Sequence, residues 1–214
     1  MFLFMNMGSQ GVLTAIIFIG AYLTGSVNFS LIAARFLGKG DLRKLGSKNA
    51  GVTNLRRVAG WPVAILVLIM DLTRAFAVIY SACTFGPSNF AAAVALPLLL
   101  GNLYPVFHGF KGGKGVAASV GIVLALNPLS MLAAGCVFLL LFVTTRLVSL
   151  CSLGMALTWP VFFYLFDQAQ DAILTIIAIT LVIVLTHRSN IVRLIKGNEP
   201  KLGNDSSSTK ENTQ

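Results

Sequence analysis

The chain has 214 residues, 56% of them hydrophobic and 11% charged, with a mean hydropathy of +0.83 and a formal net charge of +9. A soluble domain carries about a quarter charged residues, so this composition excludes a soluble globular protein. It predicts an all-α integral membrane protein, because the apolar runs reach the roughly 20 residues that a bilayer-crossing helix needs.

The first apolar run meets no Lys or Arg before Arg35. It therefore lacks the basic start of a secretory signal peptide and reads as a retained first span. Candidate spans follow at 12–36, 61–83, 90–107, 115–127, 129–145, 149–166 and 172–187. About seven helices are predicted, or five if the short fourth span and the fifth, broken at Asn127-Pro128, form a hairpin that does not fully cross. Residues 1–203 read as one transmembrane domain. Residues 204–214, polar and without apolar anchors, read as a disordered tail. Cys83, Cys136 and Cys151 are scattered in apolar sequence and make neither a disulfide framework nor a metal spacing. No metal or cofactor is expected.

Charge sorts the loops. One side collects Arg35, Lys39, Arg43, Lys44, Lys48, Arg56 and Arg57, then Lys111 and Lys114, then Arg146, and finally the C-terminal basic segment. The other side holds the N-terminus, FGPSN, NP and the acidic DQAQD. The positive-inside rule places the basic side in the cytoplasm, with the N-terminus outside and the C-terminus inside. The basic charge fits topology and anionic lipid heads, and no nucleic-acid partner is expected. Within the second span, Asp71 and Arg74 are three apart and share a helix face. They read as a structural pair.

Three polar segments fall on the basic side. The first, Gly46-Ser-Lys-Asn-Ala-Gly-Val-Thr-Asn54, alternates small residues with amide and hydroxyl side chains. Glycine turns let successive N–H groups form an anion nest. Ser47, Asn49, Thr53 and Asn54 add neutral donors, and Arg57 offers a planar fork for phosphate. The second, FKGGKGVAAS over residues 110–119, leads Gly112, Gly113, Lys114 and Gly115 into a predicted helix N-terminus, where unpaired amides favour an anion. Neither segment fits the Walker pattern, since Lys114 precedes Gly115 rather than Ser or Thr. The third joins RLVSLCS with His187-Arg188-Ser189-Asn190 and the segment that follows.

Four stretches, GSKNAGVTNLRR, PVFHGFKGGKGVA, VSLCS and HRSNIVRLIKGNEPKLG, occur in an order and spacing that resemble the bacterial acyl-phosphate:glycerol-3-phosphate acyltransferases of the PlsY type. The resemblance runs from about residue 20 to residue 203. It implies a seven-span bundle in the bacterial cytoplasmic (inner) membrane with its active site at the cytoplasmic face. It implies catalytic roles for Ser47, Arg57, Lys114, His187 and Asn190, and phosphate binding by Asn49, Gly51, Thr53, Asn54, Gly112, Gly113 and Gly115. Three departures stand out: Lys48 for a usual Gly, Asn102 for a common His, and Ser189 for a usual Glu. The partners implied are acyl-phosphate, glycerol 3-phosphate and membrane lipid.

The residues suit such a reaction without an enzyme nucleophile. Acyl-phosphate is already activated, so positioning and electrostatics suffice for direct attack by the glycerol hydroxyl. An exchanger of organic phosphates is the alternative from another class. It would share the basic site and call for internal repeats, of which the two Gly-Val helix entries at Gly51 and Gly115 are a faint echo.

Overall fold

The computed structural model describes residues 2–87, 89–166 and 172–203, with residues 2–10 as backbone. It is a helical bundle turned outward to lipid. α1 (Phe2–Gly25) and α2 (Phe29–Phe36) share the first apolar run, and α3 (Val52–Phe85) is the longest helix described. There follow α4 (Phe90–Leu103), α5 (Val116–Leu126), α6 (Pro128–Thr145), α7 (Val148–Phe166), α8 (Ile173–Thr186) and α9 (Arg188–Ile195). Side chains such as Leu13, Ile16, Leu140, Val143, Leu174 and Leu185 are 58–78% exposed. An apolar exterior of this kind suits hydrocarbon, where helices satisfy their own backbone groups.

Among the described residues five helical segments are long and apolar enough to cross a membrane, and the bent pair α8–α9 makes a sixth. The expected count of seven is thereby corrected in its fourth segment. α5 has 11 residues, about 17 Å at 1.5 Å each, against a hydrocarbon core of about 30 Å. Its length covers about half of that thickness. The helix stops because Asn127 leaves helical geometry and instead caps α6, its side chain accepting the Ser130 amide at 2.9 Å with Pro128 next in line. The fifth expected span, α6, is full length, so the hairpin of two partial helices does not form.

Two other boundaries differ. The first span breaks at Asn28, which caps α2 by accepting the Leu31 amide at 2.9 Å. Its Nδ2 also donates to the Ala50 carbonyl at 3.3 Å, tying this break to the polar loop. Residues 52–60, expected in that loop, are the first turns of α3. That helix bends at Gly60, held at φ +83 just before Pro62, a proline that has no N–H to continue the ladder. The DQAQD segment and the tail 204–214 lie outside the described residues.

Close backbone approach holds the bundle. α3 lies along α5, α1 along α4 and α6 along α7. A Cβ on Gly25 would sit 2.1 Å from the Leu98 carbonyl oxygen, and one on Gly101 would sit 2.1 Å from that of Tyr22. On the other seam, a Cβ on Gly121 would meet the Leu72 carbonyl at 2.4 Å and the Ala75 methyl at 2.9 Å. Small residues serve this purpose between membrane helices, where packing rather than water expulsion drives association. Behind these seams Leu98, Ile122, Trp159, Ile176, Ile179 and Ile183 are fully buried.

The seam is testable by size. Gly121→Val should lower the thermal midpoint of purified protein in detergent by about 5–10 °C, since overpacking costs typically 1–3 kcal/mol in a chain of this length. Gly135→Ala, where an added Cβ meets nothing within 4 Å, should leave the midpoint unchanged or slightly higher. Equal midpoints for Gly121→Val and the parent would remove the close-approach account.

Candidate active site

Two helix N-termini converge at one end of the bundle. α3 starts at Gly51 and α5 at Gly115, and neither has a side-chain cap. Gly113 lies against the turn before α3: a Cβ there would stand 3.5 Å from the Ala50 carbonyl and 3.7 Å from the Gly51 Cα. The uncapped first amides and positive ends of both helices therefore face one small region, which suits an anion.

The first loop is organised by Asn54, which is 1% exposed. Its Nδ2 donates to the carbonyls of Leu42, Leu45 and Asn49 at 2.9–3.0 Å, and its Oδ1 accepts the Ser47 amide at 2.8 Å. The resemblance implies phosphate binding by Asn54; in the structure its amide is engaged by the loop itself and holds that turn. Gly46, at φ +54, is needed here because a Cβ would stand 2.4 Å from Asn54 Oδ1. Ser47 is exposed and Asn49 half-buried, with Asn49 Oδ1 3.2 Å from the Cβ that Gly51 lacks. Thr53 and Arg57 follow in α3, four residues apart and therefore on one face.

Gly112, also implied in phosphate binding, is likewise engaged within the protein. Its amide donates to the Leu103 carbonyl at 3.0 Å, and a Cβ would come within 2.2 Å of the Asn102 carbonyl. It is the glycine that lets the loop press against the end of α4, with its N–H already used. Gly115 adopts φ +81 at the start of α5, and a Cβ there would stand 2.7 Å from Leu99 Cδ1.

Lys114 is the centre of the site. Its ammonium donates to Asn190 Oδ1. Asn190 is buried and passes the bond on, its Nδ2 donating to Glu199 Oε1 at 2.6 Å. Arg193 closes the chain, with Nε 2.7 Å from Glu199 Oε2. The Thr186 hydroxyl reaches the Lys114 carbonyl at 3.2 Å and the Ile183 carbonyl at 2.9 Å, tying the lysine loop to the end of α8. Burial pulls the Lys114 ammonium down to about 8; the opposite charge of Glu199 works against that, while Arg193 and Arg57 push the same way. Burial alone would raise the Glu199 carboxyl, but donors from Asn190, Ser149 and Arg193 outweigh it and hold it below the usual carboxylate range.

His187 lies beside this group at the corner where α9 turns 60° from α8. It is 3% exposed, and its Nδ1 stands 2.8 Å from the Ile183 carbonyl. A carbonyl only accepts, so Nδ1 carries the proton in the neutral ring and Nε2 keeps a lone pair.

Glu199 and Arg193 were missed as site residues, and the signal for them was the segment NEPKLG. The chain beyond α9 folds back over the α6–α7 turn, where the Leu202 amide donates to the Arg146 carbonyl at 2.9 Å. That return brings Glu199 to Asn190. Ser189, standing where a carboxylate was expected, is exposed, and the carboxylate on Asn190 comes from Glu199 instead. Arg43 was likewise read as topological charge. Its guanidinium donates to the carbonyls of His108 at 2.6 Å and Lys111 at 3.3 Å while paired with Asp41, so it laces the first loop to the second.

Residues 15–197 match the family model described as glycerol-3-phosphate acyltransferase. The glycerol-3-phosphate acyltransferase of Thioalkalivibrio sulfidiphilus is 37% identical over 200 residues, covering 93% of this chain and 98% of its own. That of Dinoroseobacter shibae is 39% identical over 192 residues, covering 89% and 94%. The fold superposes on the crystal structure of PlsY (YgiH), an integral membrane glycerol 3-phosphate acyltransferase, in its glycerol 3-phosphate form. The TM-score is 0.84 at 36% identity, with 89% of this chain and 96% of that one covered. Lys114, the helix N-termini and the Asn190–Glu199 network thus stand in a chain that belongs to the glycerol-3-phosphate acyltransferase family, a family of membrane acyltransferases.

Proposed function

We propose that this protein transfers a fatty acyl group from acyl-phosphate to a hydroxyl of glycerol 3-phosphate, forming lysophosphatidic acid and inorganic phosphate at the cytoplasmic face of a bacterial inner membrane. The observation that carries the reading is the meeting of Lys114 with two uncapped helix N-termini and the Asn190–Glu199 network. The related PlsY has a glycerol 3-phosphate form and a lysophosphatidic acid form, which are a phosphate-bearing alcohol and its acyl ester. Membership of an acyltransferase family removes the ground for a phosphate exchanger.

In this reading Lys114 and Arg57 hold phosphate, and Asn190 fixes the ammonium of Lys114. Gly51, Thr53, Gly113 and Gly115 line the anion site with backbone and hydroxyl donors, while Ser47 and Asn49 polarise the acyl carbonyl. The glycerol oxygen forms a bond to the carbonyl carbon. The bond from that carbon to the phosphate oxygen then breaks, and phosphate leaves with the electron pair. The hydroxyl proton goes to the departing phosphate or to Nε2 of His187. Because the leaving group is stable, the site has to stabilise charge and position reactants rather than create a nucleophile. The basic loops face the cytoplasm by the positive-inside rule.

Three measurements test this. Lys114→Ala and Arg57→Ala should each lower acylation by roughly 10²-fold or more, as expected for losing one preorganised charge-stabilising donor, whereas Lys39→Ala should change it little. Uniform losses across all of these in folded protein would point to general surface charge instead.

The donor is tested separately. Purified protein should release one phosphate for each acyl group transferred from acyl-phosphate, with acyl thioesters poor donors. Efficient thioester turnover with acyl-phosphate inert would overturn the proposed donor.

Lys114 also sets a pH dependence. With its value lowered to about 8, the ammonium is charged below that pH and loses its proton as pH rises through it. The kcat/KM for glycerol 3-phosphate, which reports the free enzyme, should therefore fall on the alkaline side near pH 8. A bound phosphate favours the charged lysine, so the fall in kcat should come at higher pH. Lys114→Arg keeps its charge and should lose the alkaline limb even if it is slower. An unchanged limb in that variant would assign the titration elsewhere.

A further inference from the structure

A second basic hollow, open to solvent, lies where the first two loops meet. Its volume is about 760 Å³, and its lining, which reaches Gly112, includes none of Lys114, Arg57, His187, Asn190 or Glu199. Arg35, Lys44, Lys48 and Lys111 contribute positive charge. Asp41 is the one carboxylate among the residues lining it, and that charge is already engaged by the bidentate Arg43. Arg35, Lys44, Lys48 and Lys111 are all exposed, yet they converge on one concavity with no acidic group left to offset them. Such a focus of one sign attracts a multiply charged anion.

The rim identifies the kind of anion. The cavity sits where the segment Gly11–Phe36 and the segment Phe90–His108 both end, at the level where a membrane meets water. Phe36, beside Arg35, is 90% exposed; Phe107, in the lining itself, is 60% exposed, and Phe110, beside Lys111, is 56% exposed. Aromatic side chains next to cations at this level suit a molecule with a charged head and hydrocarbon tails. The backbone is also held in an uncommon form here. Lys48 and Phe110 both take φ +58, a conformation that L-residues adopt at a steric cost. Non-glycine residues in such conformations gather at binding sites.

We infer that this cavity binds the phosphate-bearing headgroup of an anionic phospholipid, with its acyl chains lying over Phe36 and Phe107. The site is distinct from that of acyl transfer but joined to it through the backbone. Lys48 follows Ser47, Lys111 precedes Gly113 by two residues, and Arg43 bridges the two loops through the His108 and Lys111 carbonyls. A lipid held here would clamp the loops that carry the reacting groups.

Native mass spectrometry of the full chain, released from micelles of equal phosphatidylcholine and phosphatidylglycerol, reads the site directly. The parent should retain phosphatidylglycerol in preference to phosphatidylcholine. The variant Arg35→Ala/Lys44→Ala/Lys111→Ala should retain it on the order of 100-fold less well, the loss expected for three cations near a lipid surface. Its acylation rate in pure phosphatidylcholine nanodiscs should match the parent and report an intact fold. If the triple variant does not fold, the single charge reversal Lys111→Glu provides the same comparison with a smaller loss. Equal retention by parent and variant overturns the site. Displacement of the bound lipid by inorganic phosphate or free glycerol 3-phosphate would reveal a water-soluble anion site and overturn the lipid assignment.

Discussion

The arrangement of this protein depends on how a half-buried lysine is kept charged at the edge of a membrane. Lys114 loses hydration where it sits, and a desolvated ammonium tends to release its proton. The answer is a relay in which Lys114 donates to Asn190, Asn190 to Glu199, and Glu199 also takes Arg193. Asn190 is neutral, so it supplies an acceptor without cancelling the positive charge of the lysine. Glu199 stands one residue further off. It favours the ammonium through space but leaves it free to meet an incoming anion. Direct contact between Glu199 and Lys114 would hold the lysine more firmly and bind phosphate less well.

That relay requires distant parts of the chain to meet, and the helix seams make this possible. Lys114 and Asn190 are 76 residues apart. The lysine loop is pressed to the end of α4 by Gly112 and to the start of α3 by Gly113, and α5 is held to α3 at Gly121. At Gly112 and Gly121 a side chain of any size would push two backbones apart, while Gly113 is in ordinary contact with the turn before α3. The half-length of α5 belongs to the same design. A helix that starts at the polar face and ends inside the bundle brings its N-terminal amides to the site without needing a loop on the far side. Its other end is protected by Asn127, which moves directly into the cap of α6.

Much of this could be read from the residues, and the limits have physical causes. Composition and loop charge revealed a membrane bundle, because hydropathy reports directly on solvent. Six of the seven expected segments reappear as full-length or bent helices, and the seventh is α5. Its shortness was visible in sequence, but whether a short apolar helix crosses depends on packing with its neighbours. Motif residues Lys114, His187 and Asn190 do come together. The roles of Asn54 and Gly112 were less legible, because a polar side chain or a glycine in a motif looks the same whether it touches a ligand or holds the loop. Glu199 lay in a recognised segment, yet only the return of the chain across Arg146 shows what it touches. Arg43 is a similar case: among so many loop cations, the one that laces two loops cannot be told from the rest by charge.

The division between ligand contact and loop support has a consequence for how the site treats its substrates. Neutral donors and backbone amides come from α3 and α5, which pack closely at Gly121. The charged relay comes from α8, α9 and the returning segment, joined to α5 through Thr186 and Lys114. Both sets meet at one end of the bundle, so in the proposed reading a phosphate held there gains donors from both and helps to exclude water from the acyl carbonyl. An ester-forming site has particular need of that exclusion, because water is the competing nucleophile and would discharge an activated acyl donor. In the proposed reading, placing the site at one end of a lipid-facing bundle lets the acyl chain remain in hydrocarbon while its reacting carbonyl meets a donor-rich pocket. The same placement explains why the polar chemistry is confined to loops and helix ends: in the apolar body of the bundle, such unpaired donors would have no partner.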